Sequence, residues 1–194
     1  WSQSHFHQFK DDNLTNITYD TLGRTFGYVF NNYSLRIYTE GQPNASTYRA
    51  CGYYFNNSPQ EYDGCGTSPA VMVAILDSIS LVPWSTCDNN FGQLNTFVHD
   101  PTSGPCGTLS ARGTGSCRQR PENYFIFRYD IPAQMTAFQN LINSVPNGNY
   151  ILMYSWFTAQ YSAADPLFYS TVNSLGFNTG SLGDNTPYAY FLQK

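Results

Sequence analysis

The residues in this chain best suited to chemistry are five cysteines, three histidines and thirteen acids, and their spacing decides what they can do. Cys51, Cys65, Cys87, Cys106 and Cys117 lie in the middle of the chain among Gly, Ser, Thr, Asn and Pro, a loop setting. No two have the close Cys-x2–4-Cys spacing of a zinc site, and no histidine stands near enough to complete a ligand set. Disulfide bonding is the better reading. Cys51 and Cys65 bracket one loop, Cys106 and Cys117 a second that is rich in Gly, Ser and Thr. Closing each removes roughly 3 kcal/mol of unfolded-state freedom. Two bridges leave one thiol over, and Cys87 is expected to be the free one, with Cys106 and Cys117 as alternatives.

The remaining candidates are thinner. His5 and His7 share one face of an extended segment, with Asp11 and Asp12 close behind, and three such ligands suffice for a divalent metal. A terminal position weighs against an ordered site, so neither metal nor cofactor is expected. Cys87 with His99 as a nucleophile pair lacks the cation or helix N-terminus that activates a thiolate. Among the acids, Asp77, Asp130 and Asp165 sit at turns and helix starts, and no pair stands out for glycoside hydrolysis. There is no G-x-S-x-G, phosphate-binding or dinucleotide motif. No catalytic site is expected. Trp84, Trp156, Phe157, Tyr161 and the pair Tyr53-Tyr54 fall at strand ends or in loops, where exposed rings can stack on sugars. The competing reading, that they fill the core, is favoured. Asn-x-Ser/Thr triplets begin at Asn16, Asn32, Asn44 and Asn56, which arise by chance in an Asn/Ser-rich chain.

Composition narrows the partners. Charged residues are 11%, under half the usual share, whereas aromatic residues reach 17%. Polarity comes from Asn, Ser, Thr, Gln and Tyr, the habit of secreted and surface proteins. A net charge of -4 offers no basic field for nucleic acid. The longest apolar run, Ala70 to Leu76, is too short to span a membrane. The chain opens on Trp1 with no signal-peptide pattern, so it is expected to be a piece from inside a larger polypeptide.

Several elements must position these residues. Alternating runs predict strands at 16–19, 25–30 and 35–38, and 41–69 reads as loop. The apolar run at 69–77 predicts a strand buried on both faces, turned by Asp77 and Ser78 into a returning strand at 79–84. A long Cys/Gly/Ser-rich excursion, 85–121, needs pinning by disulfides. Then follow a strand at 124–129, a helix begun by Asp130-Ile131-Pro132, a strand at 150–157, a helix begun by Asp165-Pro166, and a strand at 188–192. Ile131, Met135, Phe138, Leu141, Ile142 and Val145 mark the buried stripe of the first helix. Phe168, Val172 and Leu175 mark that of the second, which Gly176 closes. The predicted fold class is α+β, with residues 1–48 an N-terminal β segment packed on or continuous with a main domain at 49–194.

The stretches Ala70 to Asp77, Tyr124 to Phe127, Phe138 to Leu152, Asn173-Ser-Leu-Gly176 and Tyr188-Ala-Tyr-Phe191 together resemble the interleukin-like EMT inducer (ILEI/PANDER) domain. The resemblance covers roughly residues 69–194. Phe9 to Asn13, Ile79 to Pro83 and Arg120 to Phe127 are similar to a version found in very large surface proteins of Bacteroidota that also carry gingipain-like or type IX secretion modules. It implies two antiparallel sheets with flanking helices, no catalytic machinery, and an extracellular or cell-surface location. Implied partners are other domains of the same polypeptide or a surface protein, with glycan as the alternative. In one relative of that family, sugar is held by an acid after the strand that follows the first helix and by an Arg-Asp pair before the last strand. Here those places hold Phe157 and Asp184-Asn185, without the arginine.

Overall fold

The computed structural model of the chain describes residues 17–20, 25–28, 33–39, 51–62, 69–93, 123–155, 160–184 and 186–194. The chain divides into two compact units, Trp1–Tyr33 and Ser34–Lys194. In the first, β1 (Ile17–Asp20) and β2 (Thr25–Tyr28) form an antiparallel pair with Ile17 opposite Tyr28.

Among its described residues the second unit is α+β, with two antiparallel sheets and two helices. β3 (Leu35–Thr39), β4 (Cys51–Phe55) and β5 (Ser58–Tyr62) form one sheet in that order. The other sheet runs β7-β6-β8-β9, from β6 (Ala70–Leu76), β7 (Phe125–Arg128), β8 (Tyr150–Ser155) and β9 (Ala189–Gln193). Helix α1 (Pro132–Ser144) joins β7 to β8, and α2 (Pro166–Ser174) lies between β8 and β9. The unit begins at Ser34 and so includes β3, which the sequence reading grouped with the N-terminal segment.

Every residue of β6 is buried because the strand has a covered neighbour on each face. Val71, Val73 and Ile75 join Phe125, Phe127, Ile151 and Met153 beneath the helices. Ala70, Met72 and Ala74, with Tyr124, Ile126, Leu152 and Tyr154, face Tyr53, Leu35 and Ile37 of the other sheet. Alternation carries successive side chains into two different cores, which is why the sequence shows an unbroken apolar run. Polar bonds close both seams between the sheets. On one, the Thr39 hydroxyl donates to the Ser155 carbonyl at 2.7 Å. On the other, the Tyr53 hydroxyl donates to the Asn123 carbonyl at 2.7 Å, and the Asn123 amide donates to Gln60 Oε1 at 2.9 Å.

Two readings of the sequence are corrected. The segment 41–69 is not all loop, since it contains the β4–β5 hairpin. Asn56 and Asn57 have φ of 48° and 62°, the left-handed pair that a two-residue type I′ turn needs. Asn56 also anchors the turn to the start of β3, donating its N–H to the Ser34 carbonyl at 2.8 Å and accepting the Ser34 N–H at 2.9 Å. Residues 79–84 do not form a returning strand. They make one bridge, Leu76 to Pro83, flanked by two bonds, from the Trp84 N–H to the Ile75 carbonyl and from the Asp77 N–H to the Val82 carbonyl. Leu81 at φ 57° takes the preceding backbone out of strand geometry, so the pairing does not run beyond this bridge.

The helices begin and end for local reasons. Asp165 accepts the Leu167 N–H at 2.8 Å and Pro166 occupies the first turn of α2. Its end is a Schellman closure: Phe177 N–H to the Val172 carbonyl, Gly176 N–H to the Asn173 carbonyl, and Gly176 at φ 86°. The expected cap of α1 by Asp130 is not made. Arg128 takes that carboxylate in a two-pronged ion pair, leaving Ile131 at the cap position without a side-chain bond. At the other end of α1 the Lys194 ammonium donates to the carbonyls of Ile142, Asn143 and Val145 at 2.8, 3.2 and 2.7 Å.

Lys194→Met leaves those carbonyls without their cation and is expected to lower stability by about 1 kcal/mol in urea unfolding. Phe168 is fully buried against Tyr129, Phe138, Tyr161 and Tyr169. Phe168→Ala is expected to remove about 3–5 kcal/mol in the same experiment.

Candidate functional site

The fold treats the rings, thiols and acids that the sequence offers as candidates differently. Tyr161 is not an exposed ring. It is buried among Tyr129, Phe168 and Tyr188, and its hydroxyl donates to the Thr186 carbonyl at 3.1 Å. Trp84 is half-buried and packs on the helix-side core. Trp156, Phe157 and Asn185 lie outside the described residues, as do His5, His7, His99, Cys65, Cys106, Cys117 and the side chain of Cys51. The aromatic surplus is thus in good part core: a continuous set of rings runs from Phe91 and Phe125 through Phe127, Phe138 and Phe168 to Tyr129, Tyr161, Tyr188 and Phe177. Burial pushes the phenols of Tyr129, Tyr161 and Tyr188 up, away from ionisation.

Cys87 is disulfide-bonded, not free. Nearness in sequence had singled out the other four cysteines. The entropic gain of a bridge rises only with the logarithm of loop length, so spacing does not fix pairing. The bridge also removes the thiolate on which a Cys87–His99 nucleophile pair depends.

The carboxylates are held by structural bonds that favour their charged form. Asp77 Oδ1 accepts the N–H groups of Ile79 and Ser80 and the Ser80 hydroxyl, which hold its pKa below the ordinary carboxylate value. The Arg128 guanidinium does the same for Asp130. Asp184, at the place where the resemblance puts half of a sugar-binding pair, is held by Ser162: the hydroxyl donates at 2.6 Å and the N–H at 2.8 Å, lowering its pKa. That contact ties the 182–184 loop to the short 3-10 turn Tyr161–Ala163. Among the described residues, no group of three or more His, Cys, Asp or Glu is placed to hold a metal ion.

The most conspicuous exposed feature is the loop 77–82, which the sequence reading took for a turn and part of a strand. Ile79 is 89% exposed and Val82 60%. The loop between them is tightly bonded: Asp77 N–H to the Val82 carbonyl, Leu81 N–H to the Asp77 carbonyl, Val82 N–H to the Ser80 hydroxyl, and Ser78 N–H to Asn149 Oδ1. Leu81, a bulky residue, is left-handed here, a conformation that costs about 1–3 kcal/mol and persists only where the surroundings impose it. Next to this loop, Tyr150 lies opposite Leu76 and stacks on Phe191 of β9 with centroids 5.4 Å apart and planes 7° from parallel. Phe191 is itself 44% exposed. The readable signal was Asp77-Ser-Ile-Ser80, an acid followed closely by serine, which favours a bonded turn over a strand.

Ser162→Ala removes both the hydroxyl donor and the main cause of the lowered Asp184 pKa. The Asp184 carboxylate is expected to titrate at higher pH in this variant, read by NMR. For the phenols the direction is opposite: their raised folded pKa contributes stability that is complete below the ordinary phenol value of 10.0 and is lost as pH rises above it. Thermal unfolding from pH 8 to 11 is expected to show the loss, and Tyr188→Phe to reduce it. No family model and no curated protein sequence matches the chain.

Proposed function

We propose that this chain is a non-enzymatic, extracellular interaction domain of a larger secreted or surface-attached protein, and that its 77–82 loop is the contact tip. The observation carrying this reading is the rigid display of Ile79 and Val82 on a loop stabilised by Asp77 and strained at Leu81. A fold that orders a loop so fully around two exposed aliphatic side chains has already met the entropic cost of binding them. The tip is exposed and uncharged apart from Asp77, whose carboxylate is engaged by N–H groups. Its complement is therefore a shallow apolar pocket on a folded protein, not a polyanion or an anionic membrane.

Two further observations support the same class. General acids need a pKa raised toward neutrality, whereas Asp77, Asp130 and Asp184 are shifted the other way. The disulfide at Cys87 suits an oxidising compartment. The resemblance to the ILEI-like domains of Bacteroidota surface proteins supplies the setting: a module beside other domains of one polypeptide, with the remaining cysteines Cys51, Cys65, Cys106 and Cys117 supplying the partner of Cys87 and any second bridge. Glycan binding is second, because of its four nominated rings one is buried and one half-buried.

Ile79→Asp combined with Val82→Asp should leave stability within about 0.5 kcal/mol, since both side chains are exposed. It should also abolish binding of the labelled chain to the surface fraction of the producing cells. Retained binding in the double variant removes the tip from the reading. Turnover of a peptide or glycan substrate by the purified chain, or saturable binding on a glycan array, overturns the class itself.

A further inference from the structure

β9 is the outermost strand of the four-stranded sheet. Its inward bonds alternate along the strand: the Tyr188 carbonyl accepts the Ser155 N–H at 3.0 Å, and at the other end the Lys194 N–H donates to the Asn149 carbonyl at 2.9 Å. With the register Met153 opposite Tyr190 and Ile151 opposite Leu192, the residues bonded to β8 are 188, 190, 192 and 194. The backbone N–H and C=O groups of Ala189, Phe191 and Gln193 therefore point away from the sheet. Among the described residues none of them meets a backbone partner.

Free edges of this kind are normally blunted by lysine, proline or a bulge. β9 has none: its sequence is Ala-Tyr-Phe-Leu-Gln and its register against β8 is unbroken. The adjoining cation is withdrawn, because Lys194 turns its ammonium onto the carbonyls at the end of α1. β3 comes near β9 and is bonded to Ser155, yet Ala189, Phe191 and Gln193 all remain exposed on that face.

We infer that this edge is an interface for a second copy of the chain, pairing β9 with β9 antiparallel about a two-fold axis through Phe191. That register sets Phe191 opposite Phe191 and Ala189 opposite Gln193, a small side chain facing a long one with no like charges opposed. Three bonded pairs give about six backbone hydrogen bonds. They join two four-stranded sheets into one of eight, and the stacked Tyr150 and Phe191 of both copies form a single aromatic row across the axis. The inference is independent of the 77–82 tip.

Sedimentation equilibrium of the whole chain over a hundredfold concentration range tests it, with amide exchange read by NMR at both ends of that range. The expected result is a monomer–dimer equilibrium, with the amides of Ala189, Phe191 and Gln193 protected only at high concentration. Phe191→Lys, which places two ammonium groups at the axis, should weaken dimerisation at least about tenfold. Gln193→Lys provides the same test should the first variant fold poorly, and the Ile79→Asp/Val82→Asp variant should dimerise as wild type does. A monomer at every concentration overturns the inference, as does a dimer that both lysine variants leave intact.

Discussion

The burial of β6 on both faces is the constraint around which the second unit is organised. A strand seven residues long with no exposed side chain requires a helical layer on one side and a second sheet on the other. Removing either cover would put a row of Val and Ile, or of Met and Ala, into water. α1 and α2 supply the first cover through Met135, Phe138, Leu141, Phe168 and Val172, and the β3–β4–β5 sheet supplies the second through Tyr53. The polar seams at Thr39–Ser155 and Tyr53–Asn123–Gln60 then fix how the sheets meet, in positions where an apolar contact would leave carbonyls unsatisfied.

The parts of this architecture that follow from periodicity were legible in the residues. The α1 stripe from Met135 to Val145, the Asp165-Pro166 start, the Gly176 stop and the strands at β6, β7, β8 and β9 each announce themselves within ten or so positions, whereas Ile131, expected on that stripe, is exposed at the cap position. The hairpin at β4–β5 did not. Asn56-Asn57 lies in a stretch of loop-like composition and opens a glycosylation triplet, though two consecutive asparagines between aromatic and β-forming residues also satisfy a left-handed turn. Asp130 misled for a different reason, because its competitor Arg128 precedes it by two residues across a strand end, and a charged partner outweighs a backbone N–H. The disulfide of Cys87 was invisible in principle, since pairing depends on spatial neighbours.

The candidate surface was the least legible feature. Ile79 and Val82 have the composition of a strand, and nothing in their types says that they face solvent. What places them there is the sum of the Asp77 bonds, the left-handed backbone at Leu81 and the tether from Ser78 to Asn149. Tyr161, nominated as an exposed ring, is core instead, and in a chain of low charge content aromatic stacking gives the interior its specificity.

A sheet covered on both sides is specified by volume and alternation more than by the identity of any one residue, because aliphatic side chains of similar size exchange there at small cost. Among lineages descended from such a domain, the interior can drift through Val, Ile, Leu and Met without changing the backbone path. Ancestry is then preserved in the rhythm of buried positions and erased from the letters themselves.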